Sequence, residues 1–276
     1  MKLKIYLKEI FLIVFSFIFM LPIIFVLINS FKTNVSIGDN FFALPTKESF
    51  TAFNNYIKGI TFGNYPFISA FINSVIITIL STTLIIISTL MASWYIVRVN
   101  DKFSKIIYYL YLFSMVVPFQ MIMFTLSKTA DTLKLNTPFT IPFVYLGLGT
   151  GLGVFMFCGF LKSVPYEIEE AAIIDGCNPV QIFIHIIMPI CKPVIISVAI
   201  LEIMWVWNDY LLPYLVLDRT KYMTIPVHIE YLQGSFGQVD LGALMAIIVM
   251  CLIPIIIIYI KWQKYIIKGI VDGAVK

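Results

Sequence analysis

The sequence predicts an all-α, polytopic membrane protein with six transmembrane helices. Three observations carry this. Of 276 residues, 60% are hydrophobic and only 12% charged, where a soluble domain runs about 45–50% apolar and about 25% charged. Mean hydropathy is +0.96. The apolar residues gather into six runs of spanning length, and six spans of about 20 residues use about 120 residues, leaving loops and no sizeable soluble domain. A chain so composed cannot cover itself in water. That excludes a soluble enzyme, a disordered scaffold and a nucleic-acid binder, and residues 1–276 read as one transmembrane domain.

The first run, about 10–28, follows a basic start at Lys2, Lys4 and Lys8. It is too long for a signal-peptide core and no small-residue cleavage site follows, so it reads as a retained helix kinked at Pro22. The second, about 69–97, carries no charge. Its Ile, Thr and Ser are mediocre helix formers in water, but in hydrocarbon the backbone must bond to itself. The third, about 106–126, contains Pro118. The fourth, about 139–161, carries Gly147, Gly149, Gly151 and Gly153, two interleaved GxxxG pairs that let helix backbones approach closely. It is not a phosphate loop: no GK[ST] follows and no strand precedes it. The fifth, about 194–212, and the sixth, about 241–260 with Pro254, complete the set.

Six spans put both termini on one side. With that side cytoplasmic, the inner segments hold twelve of the nineteen Lys and Arg and the outer segments seven. The positive-inside bias therefore predicts cytoplasmic termini in the cell membrane. Two loops stand out: an outer one, about 29–68, and a cytoplasmic one, 162–193. The second carries Glu167, Glu169, Glu170 and Asp175, four of the fifteen acidic residues. Pro165 suits a helix start, acids favour its first turn, Gly176 permits the positive φ that ends it, and Asn178-Pro179 begins a second piece. Physics alone leaves two readings: an amphipathic hairpin on the membrane surface, or a docking element for a cytoplasmic partner.

The segment Glu170-Ala171-Ala172-x-x-x-Gly176, with Pro189 downstream, resembles the EAA motif of binding-protein-dependent ABC importer permeases. Asn73-Ser74, Ala92-Ser93-Trp94-Tyr95-x-x-Arg98, Leu135-Asn136-Thr137, Trp207-Asn208-Asp209 with Pro213, Tyr222-x-Thr224-x-Pro226 and the tail from Gln263 to Gly269 with Gly273 to Lys276 extend the likeness over nearly the whole chain. Together they resemble the MalG-like subunit of the carbohydrate uptake branch. Cys177-Asn178 departs from the expected small residue. The resemblance implies a type I ABC importer permease (MetI-like) fold and a subunit that does no chemistry itself. It implies a second, MalF-like permease, an ATPase dimer that binds ATP and Mg, and an extracellular sugar-binding protein. It also implies that Glu169, Glu170, Ala171, Ala172, Asp175 and Gly176 couple to the ATPase, and that the solute is a di- or oligosaccharide. Sialic acid, a polyol or a glycerol phosphate are the alternatives.

In the fifth span Glu202, Trp205, Asn208 and Asp209 recur three or four apart on one face. An ionisable group within a span is expensive unless it faces a cavity or a partner. Glu202, Trp205, Asn208 and Asn73 are thus candidates to line a solute path, with Gln120 behind them; an interhelical hydrogen bond is the competing reading for Glu202, and packing for Trp207. His185 and His228 lie on opposite membrane sides, cannot share a metal, and read as surface residues. No Ser/His/Asp set can be assembled without crossing the bilayer. Cys158, Cys177, Cys191 and Cys251 read as packed thiols rather than a disulfide or zinc framework. A membrane enzyme lacks its polar cluster here, and a self-sufficient carrier lacks internal repeats or charge-lined broken helices.

Overall fold

A computed structural model describes residues 2–61, 65–234 and 240–274, without the side chains of 2–5, 7, 233–234 and 264–274. The side chains of the basic start at Lys2 and Lys4 and of the tail from Lys264 onward are not described, and Val275 and Lys276 lie outside the described residues. The rest is helical: α1 (Lys2–Asn29), α2 (Asn34–Asp39), α3 (Asn54–Thr61), α4 (Phe67–Val99), α5 (Lys102–Val116), α6 (Phe119–Thr132), α7 (Ile141–Leu161), α8 (Glu167–Ile174), α9 (Pro179–Ile190), α10 (Lys192–Asn208), α11 (Leu211–Val216), α12 (Ile225–Gly234) and α13 (Leu241–Ala274). Among the described residues four helices, α1, α4, α7 and α13, are long and apolar enough to cross a bilayer, and the number reaches six if each of two bent pairs is one span.

The third predicted span is bent. It is not one helix through Pro118: α5 and α6 meet at 104°. Proline lacks an N–H and pushes the residue before it out of the helical region, and Val117 is extended (φ −73°, ψ 114°). Pro22 and Pro254, by contrast, lie inside unbroken helices. The fifth span runs over Lys192–Asn208 rather than to 212, because Asp209 leaves the helix (ψ 123°) and its Oδ1 accepts the N–H of Leu211 at 3.0 Å. The pair α9 and α10 bends by 78°.

The described chain forms two compact units. One comprises Met1–Ser69 and His228–Pro254. In it Lys32 is fully buried, and its Nζ donates to the carbonyls of Asn40 (2.7 Å) and Ala43 (3.1 Å). Burial lowers the pKa of that ammonium. Asn55 donates to the carbonyls of Ser30 and Lys32, so the 29–68 loop has a polar core of its own. His228 is corrected from a surface residue to a fully buried one, ringed by Tyr65, Phe67 and Tyr231.

The other unit comprises Ala70–Val227 and Ile255–Lys276, with α7 at its centre. The α7 glycines divide their work by face. A Cβ on Gly153 would lie 2.6 Å from Thr89 Oγ1 of α4, and one on Gly151 would lie 2.8 Å from the Tyr111 carbonyl of α5. Gly149 admits Ile85 of α4 together with Glu202 and Trp205 of α10. Gly149, Gly151 and Gly153 thus seat neighbours within the same chain, while Gly147 has nothing within 4 Å. All four cysteines are free thiols; Cys158, Cys191 and Cys251 are buried.

Candidate functional site

The loop 162–193 folds as the sequence predicts, a short helix, a turn and a second helix. Helix α8 carries Glu167, Glu169 and Glu170 in its first turn, favourable at the positive end of the dipole. It ends on Gly176 at φ +83°. The Gly176 N–H bonds to the Ile173 carbonyl and the Cys177 N–H to the Ala172 carbonyl, the paired closure that needs a left-handed residue between them. Asn178 then caps α9. Its Oδ1 accepts the Gln181 N–H at 2.9 Å, while Gln181 Oε1 accepts the Asn178 N–H at 2.8 Å. A π turn at Phe183–Ile187 follows, in which the Met188 N–H reaches back five residues to Phe183. Pro189 lies one residue on, and a proline ring crowds the carbonyl four residues before it in a regular helix.

The six loop residues singled out by sequence divide between two faces. Glu170, Ala171, Asp175 and Gly176 are exposed. Ala172 is buried against Leu161, Val164, Ile182 and Phe183, so its small size seats α8 on its own chain. Glu169 is also turned inward, at 3% exposure. Its Oε1 accepts Arg98 Nε at 2.7 Å and Nη2 at 2.6 Å, and its Oε2 accepts Trp94 Nε1 at 2.8 Å. Arg98 also donates to the Val164 carbonyl at 3.1 Å and lies over the Tyr166 ring. Trp94 and Arg98 are four apart on α4, so one helix face grips both α8 and the chain leading into it. Sequence reasoning noted Trp94 and Arg98 but gave them no partner. It also passed over the exposed apolar residues beside Glu170: Ile173, Ile174 (85% exposed) and Val180.

Along α10, Glu202, Trp205 and Asn208 lie at different depths, and Asp209 stands just past the helix end. Glu202 is buried, beside Gly149, and its Oε2 has no hydrogen-bond partner among the described residues. Trp205 is 39% exposed and stands edge-on to Tyr145 at 5.4 Å. Asn208 is exposed and donates to the Met204 carbonyl. Asp209 accepts the Tyr145 hydroxyl at 2.9 Å. Asn73 is part-buried and donates to the Met223 carbonyl at 3.1 Å. Gln120 is exposed on α6. Trp207 is buried edge-on to Phe71, a packing position. Among the described residues no three His, Cys, Asp or Glu side chains cluster as metal ligands would.

Residues 85–272 match the family described as binding-protein-dependent transport system inner membrane component. The chain is 37% identical over 265 residues to the probable starch degradation products transport system permease protein AmyC of Thermoanaerobacterium thermosulfurigenes, covering 96% of this chain and 94% of that protein. It is 31% identical over 279 residues to the multiple sugar-binding transport system permease protein MsmG of Streptococcus mutans, covering 100% and 98%. A solved chain of a bacterial ABC transporter involved in import of the acidic polysaccharide alginate superposes with a TM-score of 0.78 at 21% identity, over 94% of this chain and 95% of that one, which shows the fold.

Proposed function

The chain belongs to the binding-protein-dependent transport system inner membrane component family, and from that premise we propose that it is the permease subunit of an ATP-driven sugar importer for di- or oligosaccharides. It is a multi-pass membrane transport subunit with no catalysis of its own. Its exposed loop face carries coupling to a separate ATPase dimer, which binds ATP and Mg. A second permease encloses the other half of the path, an extracellular binding protein delivers the solute, and both termini are cytoplasmic.

The observation that carries the reading is the loop. Its outer face offers Glu170, Ala171 and Asp175 beside the exposed Ile173 and Ile174. A small-residue patch with an apolar neighbour and a flanking charge suits insertion into a cleft of another protein. The near full-length likeness to AmyC and MsmG, whose names speak of starch degradation products and multiple sugars, supports the solute class.

Along the path, Trp205 presents an indole face suited to stacking on a sugar ring, and Asn208 a free amide oxygen. Glu202 sits too deep in this chain to meet a solute unless α7 and α10 part. The test is affinity purification from native membranes in mild detergent, followed by mass spectrometry. A second permease and an ATPase should co-purify, and ATP should drive uptake of labelled malto-oligosaccharide by the reconstituted complex. A chain that purifies alone where a control importer stays whole refutes the reading. Trp205→Ala should lower uptake while the complex stays assembled; lost assembly would assign Trp205 to packing instead.

A further inference from the structure

At the ends of three helices lies a cavity of about 360 Å³ to which no role has been assigned. Ile96 and Asn100 come from the end of α4, Lys105, Tyr108 and Tyr109 from α5, and Lys162 caps the C-terminus of α7. Two lysines therefore line one hollow with no acid in its lining. The three ion pairs among the described residues, Lys58–Asp240, Arg98–Glu169 and Lys221–Asp218, use neither lysine. Asp101, close by in sequence, is occupied elsewhere: its Oδ1 accepts the Ser104 N–H at 2.7 Å as the cap of α5. Lys162 Nζ stands 5.6 Å from the centre of the Tyr108 ring, which fixes one cation at the rim.

The location decides the occupant. All three segments are the ends of apolar helices, where lysine and tyrosine mark the boundary between hydrocarbon and headgroups. Ile96 supplies an apolar wall, and Tyr109, 67% exposed, borders the opening. Basic pockets between membrane helices at this depth recognise anionic lipid headgroups. We propose that this cavity binds the phosphate of an anionic glycerophospholipid between Lys105 and Lys162, with Asn100 as a further donor and an acyl chain descending along Ile96 and Tyr109. The site ties the α4–α5 turn to the end of α7, next to the loop that carries α8.

The inference rests on the membrane placement of the permease reading, not on its solute. The test uses the assembled complex in mild detergent, titrated with dioleoyl phosphatidylglycerol, with dioleoyl phosphatidylcholine and with sn-glycerol 1-phosphate, and read by native mass spectrometry. The complex should take up phosphatidylglycerol in preference to phosphatidylcholine. Lys105→Gln and Lys162→Gln should each weaken that uptake about fivefold, and the pair about thirtyfold. Lys162→Arg should retain it, and Lys102→Gln, outside the lining, should leave it unchanged. Equal uptake of both lipids, or a double variant that binds like the wild type, overturns the proposal. Competition by glycerol phosphate at equal concentration would make this a soluble-phosphate site and overturn it too. If the double variant does not assemble, the single variants decide. Co-purification of the ATPase, read in the same samples, judges the permease reading separately.

Discussion

Glu169→Ala should release α8 from α4. The wild-type carboxylate is buried and meets three donors, two from Arg98 and one from Trp94. Breaking a buried ion pair by removing one partner costs about 3–5 kcal/mol, and an orphaned indole N–H adds to that. Arg98 is 17% exposed and keeps the Val164 carbonyl and the Tyr166 ring, which places the loss near the lower end, about 3 kcal/mol. That is roughly a 150-fold rise in the population of detached loop. Glu169→Gln keeps an acceptor for Trp94 and should lose about 1–2 kcal/mol. The assay is limited proteolysis of the 162–193 segment in the purified complex, with retained ATPase quantified alongside. Cleavage should accelerate in the order wild type, Gln, Ala, and Arg98→Ala combined with Glu169→Ala should be less than additive. Glu170→Ala, on the exposed face, should reduce ATPase retention without changing cleavage. Wild-type cleavage rates in Glu169→Ala would falsify the latch, whatever happened to transport.

Four further outcomes follow from the same geometry. Gly153→Ala places a Cβ 2.6 Å from Thr89 Oγ1 and should cost about 1–3 kcal/mol, while Gly147→Ala, with nothing within 4 Å, should be neutral; thermal midpoints in detergent compare the two. Gly176→Ala forces φ +83° on a residue with a Cβ and should cost about 1–2 kcal/mol locally, read as faster proteolysis after α8. Asn178→Ala removes the α9 cap and should cost about 1 kcal/mol, read the same way. Burial pushes His228 down from 6.5 to about 4, so the unfolded chain takes a proton the folded site refuses. The resulting stability is complete above pH 6.5 and lost as pH falls through 6.5 toward 4, at most about 2 kcal/mol at pH 5 and about 3 kcal/mol below pH 4. Thermal midpoints between pH 4.5 and 7.5 should fall accordingly in the wild type and less in His228→Phe.

Spans were legible because hydropathy over twenty residues is a local property, and α1, α4, α7 and α13 needed nothing else. The break at Pro118 was not, because the residue type does not decide the matter. Pro22 and Pro254 sit in runs apolar on both sides, where an unpaired backbone in lipid costs more than a kink. Pro118 stands where an apolar helix gives way to one ending in Ser127, Lys128, Asp131 and Thr132, and the chain turns there by 104°. His228 was misplaced for a related reason: a histidine in an outer loop reads as solvated until Tyr65, Phe67 and Tyr231 are seen around it.

The loop shows most sharply what a sequence pattern withholds. Glu167, Glu169 and Glu170 fall in one helical turn and are chemically near-equivalent, so charge, propensity and dipole arguments treat them alike. What separates them is Arg98 and Trp94, about seventy residues upstream on another helix, whose spacing of four becomes meaningful only when α4 lies against α8. A buried Glu169 fixes the rotation of α8, and that rotation turns Ala172 inward and leaves Glu170, Ala171 and Ile174 facing out. Ala171 and Ala172, adjacent in one motif, then have different physical reasons to be small: Ala172 lets α8 lie on its own core, and Ala171 leaves the outer face open to a close neighbour. Enlarging them should separate the two effects. Ala172→Leu should loosen the loop and raise its cleavage rate. Ala171→Leu should leave cleavage unchanged and lower ATPase retention. Equal effects of both on cleavage would mean that α8 is not held in the rotation Glu169 imposes.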